Sequence, residues 1–155
     1  MKHLNVANNK HEFLKKKISN ISNIQILKLG VAEGNSTKIF LEICDLNNGN
    51  LISVDIIDCS KISNNPRWEF IKASDDEFDI INPKINKPLD LLFIDSLHEP
   101  NHVKKVFFNY YKFLKEGGIC IIDDISWLPY VVDRKKENSY VARTNYNTFN
   151  KILEI

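Results

Sequence analysis

Glycine, proline and cysteine are scarce in this sequence: five, five and three among 155 residues. So little glycine and proline excludes collagen-like and low-complexity chains. The three cysteines, Cys44, Cys59 and Cys120, are odd in number and include no C-x-x-C pair. That excludes a disulfide-built mini-protein and favours reduced thiols in a cytoplasmic protein over a zinc site. No uncharged apolar run reaches the length of a membrane span, and the opening MKHLNVANNK lacks the apolar core of a secretory signal, so no membrane partner is expected. Charge of one sign is missing too: 21 basic against 20 acidic side chains leave a net +1. A broad basic surface for nucleic acid is therefore not expected. What is present is 43% hydrophobic residues, enough to bury a real core, in a length that suits one domain.

The few glycines punctuate the chain. Gly30 and Gly34, Gly49, and the pair Gly117-Gly118 each lie between apolar segments. Residues Glu12 to Ile18 suit a short amphipathic helix, with Phe13, Leu14 and Ile18 inward. Ile24 to Leu29 reads as a strand running into Gly30. Ile39, Phe40, Ile43, Cys44 and Leu46 follow a helical period. Leu51 to Asp55, Trp68 to Lys72, Asp90 to Asp95 and Ile119 to Asp123 read as further strands. Ser74 to Ile81 is expected to be helical. A helix beginning at Pro100 is expected to end at Gly117-Gly118. Ser126 to Asn147 reads as mostly loop, Ser139 to Arg143 as one short candidate strand, and Tyr146 to Ile155 as a closing helix.

Alternating strands and helices predict an α/β fold: a Rossmann-like, doubly wound, mainly parallel sheet of about five strands with helices on both faces. One domain, 1–155, would comprise an N-terminal helix (1–22), a ligand-binding core (23–124) and a closing segment (125–155). Ligands of such sheets bind beyond the carboxyl ends of the strands, where the winding reverses. Those ends carry Gly30, Asp55, Lys72, Asp95 and Asp123, with Asp124 next. The turn Gly30-Val31-Ala32-Glu33-Gly34-Asn35 can aim backbone N–H groups and a helix start at a ligand, although plain turn chemistry explains it as well. Asp55, 21 positions after Gly34, is placed to accept bonds from the ribose of a nucleoside cofactor; capping of the next turn is the alternative.

Taken together, these residues resemble class I S-adenosylmethionine-dependent methyltransferases. The resemblance runs from about Gln25 to Asp124. It rests on ILKLGVAEGNST at 26–37, LISVD at 51–55, FIDSLH at 93–98, LKEGG at 114–118 and IIDD at 121–124. It is strongest towards the catechol-type and small sugar O-methyltransferases. It implies S-adenosylmethionine as cofactor, held by Gly30, Ala32, Gly34, Asn35, Asp55 and Asp95, with Ser74 or Asp75 on the adenine. It also implies a magnesium ion on Asp95, Asp123 and Asp124. Three converging carboxylates repel one another, and a hard cation would relieve that repulsion; pairing with Arg134 or Arg143, or helix capping, is the alternative. Asp95 and His98 become the catalytic candidates, His98 as general base. His102 reads as a surface residue, and Trp127, Pro129 and Tyr130 as a substrate wall.

The implied activity is methyl transfer to a hydroxyl of a small acceptor, a sugar or another hydroxyl compound. Two departures from the family pattern, Lys28 in place of an acid and Ala32 in place of a glycine, motivate the alternative of a catalytically degenerate binding module. Only 31 residues follow Asp124, too few for the family's two extra strands. The fifth strand should therefore expose an edge, which the terminal helix or the second subunit of a homodimer would cover.

Overall fold

A computed structural model describes residues 6–125 and 140–153. Five strands form one sheet in the order β3-β2-β1-β4-β5, with every neighbouring pair parallel. They are β1 (Gln25–Leu29), β2 (Asn50–Asp55), β3 (Trp68–Lys72), β4 (Leu89–Ile94) and β5 (Leu114–Ile122). The helices are α1 (Val6–Ile18), α2 (Asn35–Asn47), the single turn α3 (Phe78–Ile81), α4 (Pro100–Tyr111) and α5 (Tyr140–Leu153). The sheet is the expected one.

β4 explains the layering. All six of its residues are buried, as a parallel strand covered on both faces requires. Its side chains, with those of β1, divide between two cores. One holds Leu27, Leu29, Leu92 and Ile94 against Val106 and Tyr110 of α4 and Ile81 of α3. The other holds Ile26, Leu91 and Phe93 against Leu14 and Ile18 of α1 and Phe40 and Ile43 of α2. In the second core, Phe40 meets Phe93 edge to face at 5.2 Å. At the amino ends of the strands, Asp90 is buried; its Oδ2 accepts the Gln25 N–H at 2.8 Å, and its carboxylate pairs with Lys115. One side chain thus joins β1, β4 and β5.

Four expectations are corrected. Phe13 is 56% exposed, and only Leu14 and Ile18 of its group point inward. Gly117-Gly118 does not end α4, which stops at Tyr111; the pair lies inside β5. Leu114 already pairs with Leu89, and Ile119 with Leu91, so the intervening residues bulge out of register. Gly117 takes φ +73°, and a Cβ on Gly118 would sit 2.9 Å from the Lys115 carbonyl oxygen, so glycine permits the bulge. The helix expected from Ser74 begins only at Phe78. Ser74 N–H donates to Glu77 Oε2 at 2.6 Å and its hydroxyl to Asp76 Oδ1 at 2.6 Å, closing a turn of their own. Finally, Tyr140 to Arg143, within the candidate strand, is the first turn of α5, which begins earlier than expected and lies against α4. Trp127, Pro129, Tyr130 and Arg134 fall outside the described residues.

Candidate active site

With β1 central and the chain winding outward on either side of it, the switch point falls between β1 and β4. There a cleft of about 380 Å³ opens at the carboxyl ends of the strands. Gly30, Ala32, Asp55, Ser74, Asp75 and Asp95, all expected in the site, line it. Gly34, Asn35, His98, Asp123 and Asp124 do not border it.

Gly30 makes the floor. Its φ is +85°, and a Cβ there would lie 2.0 Å from the Asp95 carbonyl oxygen. Backbone bonds fasten the same point: Gly30 N–H to the Val54 carbonyl at 2.8 Å, and Asp95 N–H to the Leu29 carbonyl at 2.8 Å. Only glycine lets the ends of β1 and β4 approach so closely. Gly34 closes the turn through its N–H to the Val31 carbonyl at 3.0 Å and packs on Ile62. Ala32 also takes a left-handed conformation, φ +50°, despite its methyl group.

Asp55 organises the loop itself. Its Oδ2 accepts the N–H groups of Val31 at 2.7 Å and Ala32 at 3.0 Å, and Oδ1 that of Ile57 at 2.9 Å. Burial pushes its pKa up, but the three N–H donors, helped by the charge of Lys28, outweigh that and hold it below the ordinary carboxylate value. A carboxylate has about four acceptor positions. Three are used by the backbone, so a ribose would meet one free position on Oδ1.

Lys28 is fully buried, on the α2 side of the sheet. Its ammonium donates to the Gly30 carbonyl and lies 5.6 Å from the centre of the Phe93 ring. The positive charge therefore braces the turn from below and does not border the cleft.

The wall beyond β3 differs from the expected one. Asp75 is 7% exposed, and its carboxylate is bracketed: His102 Nε2–H donates to Oδ1 at 2.7 Å, and the Ser96 hydroxyl donates to Oδ2. The buried Tyr110 hydroxyl donates to the Asp75 backbone carbonyl at 2.8 Å. Burial first, and Asp75 second, push the Tyr110 phenol pKa up. His102 is thus no surface residue; it lines the cleft. Both it and Ser96 are functional candidates that the sequence reading missed. The available signal was Pro100 at a helix start, which sets residue 102 in the first turn, above the strand ends. Ser74 commits its hydroxyl to Asp76, whose pKa is lowered first by that bond and then by Lys105.

His98 does not line the cleft. The Thr148 hydroxyl of α5 donates to its backbone carbonyl, and its ring Nε2 is buried without a hydrogen-bond partner among the described residues. Asp123 is 7% exposed, and its Oδ1 accepts the Asp124 N–H at 3.0 Å. Among the described residues no group of three or more His, Cys, Asp or Glu side chains is placed to hold a metal ion. Asp95, Asp123 and Asp124 thus stand at neighbouring strand ends without being gathered into a ligand set.

Comparison with known proteins agrees with this geometry. No curated protein sequence matches the chain. Among solved structures, the MycE methyltransferase of mycinamycin biosynthesis, in complex with Mg, SAH and mycinamycin VI, superposes with a TM-score of 0.70 at 17% identity. The match covers 99% of this chain and 43% of MycE, so the chain spans less than half of that protein. The SAH-bound methyltransferase PaMTH1 of Podospora anserina gives 0.71 at 11% identity, over 98% of this chain and 73% of that one. CalS11, a TDP-rhamnose 3'-O-methyltransferase of calicheamicin biosynthesis, gives 0.65 at 13% identity, over 100% and 71%. These similarities establish the shared fold. The profile of the methyltransferase domain family matches residues 27–125, from the middle of β1 to just past β5. That span carries the glycine turn, Asp55 and both walls of the cleft, and it places this chain in the methyltransferase domain family.

Proposed function

We propose that the chain binds S-adenosylmethionine in the cleft between Gly30 and Asp95 and transfers its methyl group to a hydroxyl of a small acceptor. The observation that carries this reading is the cleft itself: a glycine turn tied to an acidic strand end, at the switch point of a parallel sheet. Ribose would take the free position on Asp55, and the base would lie among Ile56, Ile57 and Leu97. In the reaction the acceptor oxygen forms a bond to the methyl carbon as the carbon–sulfur bond breaks. The bonding pair returns to sulfur and neutralises the sulfonium, while the hydroxyl proton leaves to a base. Asp95 borders the cleft and His98 does not, so Asp95 is assigned that proton. The main contribution of the protein is alignment and exclusion of water.

The likeness to a TDP-rhamnose 3'-O-methyltransferase, and to MycE in complex with mycinamycin VI, favours a sugar or a similar hydroxyl compound as acceptor. MycE was crystallised with magnesium; here the three strand-end aspartates do not form a ligand set, and no step of the proposal runs through a metal. A homodimer would pair along β5, which is the edge strand among the described residues and has no fully buried residue. Three free thiols favour a cytoplasmic setting. Among the described residues no helix is long and apolar enough to cross a membrane.

Thermal unfolding tests the reading. S-adenosylmethionine at 100 times its dissociation constant should add about 2.7 kcal/mol of stability, while NADH should add none. Mass spectrometry over a panel of sugars and phenols should then show a gain of one methyl group. A second reading, the degenerate binding module, is favoured by left-handed Ala32 and by Asp55 being occupied by the loop amides. It predicts no stabilisation by S-adenosylmethionine and no methylated product.

A further inference from the structure

The wall at Asp75 has features that the glycine turn and Asp55 do not explain. The rest of the cleft lining is largely apolar: Val31, Val54, Ile56, Ile57, Ala73 and Leu97. Into it projects one buried carboxylate, Asp75, held from both sides by donors on the segment that follows β4. Ser96 and His102 both bond Asp75 and are not bonded to each other. The trio therefore lacks the relay of a nucleophilic Ser-His-Asp triad, in which histidine stands between the other two. Nor is it a capping arrangement, since the three side chains come from two different connections, 21 and 27 residues apart in sequence.

What the arrangement does is orient a carboxylate. Asp75 accepts one bond at each oxygen and keeps one acceptor position on each. Those remaining positions can receive only donors. Asp55 lies at the end of β2 and Asp75 just beyond the end of the adjacent β3. Asp55, Ile56, Ile57 and Asp75 line the same cleft, so a nucleoside with its ribose at Asp55 would have its base beside Ile56 and Ile57, within the wall that carries Asp75. An exocyclic amine at that wall donates to the carboxylate; a carbonyl oxygen there is repelled.

We propose that His102 is a specificity-determining positioning residue: by fixing the Asp75 carboxylate at the wall of the cleft, it makes the site select a 6-amino over a 6-oxo purine nucleoside. This rests on the proposed binding of an adenosyl cofactor. His102 acts through Asp75 and touches no reacting atom.

Calorimetric titration with S-adenosylhomocysteine and its deaminated analogue, S-inosylhomocysteine, tests it. The wild-type protein should favour the adenosyl compound by about tenfold or more, the scale of one hydrogen bond to a charged group. In His102→Phe, which keeps ring volume but has no donor, that ratio should fall to within about threefold. His102→Gln, which restores an N–H donor, should recover most of it. A merely structural role would weaken both compounds together and leave the ratio unchanged, and that result in a folded His102→Phe overturns the proposal. Should that variant fail to fold, His102→Leu is measured in its place with the same expected and refuting ratios. A wild-type protein that binds both compounds equally also overturns it while leaving cofactor binding intact. Binding of neither refutes the adenosyl reading, and this inference with it.

Discussion

Replacing Asp55 by alanine should unfold the glycine turn before it does anything else. Three backbone N–H groups lose their acceptor at once. A hydrogen bond to a charged group contributes about 1.5–3 kcal/mol when shielded and less when water can replace it. The Val31 bond is partly buried; those of Ala32 and Ile57 are exposed. Counting the first in full and the others at roughly 0.5 kcal/mol each gives about 2.5–4 kcal/mol. For a domain of this size that lowers Tm by about 5–16 °C. The assay is urea unfolding of wild type and Asp55→Ala at several pH values. The carboxyl pKa is lowered in the folded protein. Its charge-dependent stabilisation is therefore present above the unfolded value of about 3.9 and is lost as pH falls through the folded one. The gap between the two proteins should be widest near neutral pH and narrow below about pH 4. A gap under about 0.5 kcal/mol at pH 7, or one that widens on acidification, refutes the role given to Asp55.

Gly30→Ala should give little or no folded protein, because the added methyl would lie 2.0 Å from the Asp95 carbonyl oxygen; circular dichroism of the purified variant decides it. Ala32→Gly should be neutral or up to about 1 kcal/mol more stable, since relief of the left-handed alanine offsets the flexibility of glycine; chemical unfolding measures it. Lys28→Glu should cost more than about 3 kcal/mol, by burying an acid against the Gly30 carbonyl that the ammonium now serves. Cys44 is fully buried, and burial first, then Asp45, pushes its thiol pKa up to about 12; it should resist a disulfide reagent until the protein is denatured.

Much of the scaffold was legible because short-range patterns specify it. The run Leu89 to Ile94 has no polar side except Asp90, and a strand apolar on both sides fits a parallel sheet covered on both faces. Gly30 and Asp55 were legible as a pair from their places at strand ends. What was illegible depended on partners distant in sequence. His102 reads as a surface histidine until the fold brings it to Asp75, 27 positions earlier. The Ile57 N–H that Asp55 caps is local, but nothing near Asp55 shows that Val31 and Ala32, 24 and 23 positions earlier, take both positions on its other oxygen. Gly117-Gly118 can end a helix or kink a strand, and the pairing of Leu114 with Leu89 decides for the strand. Tyr140 to Arg143 suits either state, and its position in the helix lying against α4 settles the choice.

The junction at Asp90 separates two tasks in space. Its carboxylate stitches three strands together at the end of the sheet farthest from the cleft. At the cleft end two features are costly: a left-handed alanine and a buried ammonium. Such features tolerate little further disturbance unless stability is held in reserve elsewhere. The Asp90 end is where that reserve can be enlarged. An engineer, or natural drift, can strengthen the junction of β1, β4 and β5 without touching a residue of the cleft. The added margin can then be spent on changes around Asp55, Asp75 and Asp95 that alter which molecule is accepted. In this chain, new substrates are best sought by first reinforcing the opposite edge.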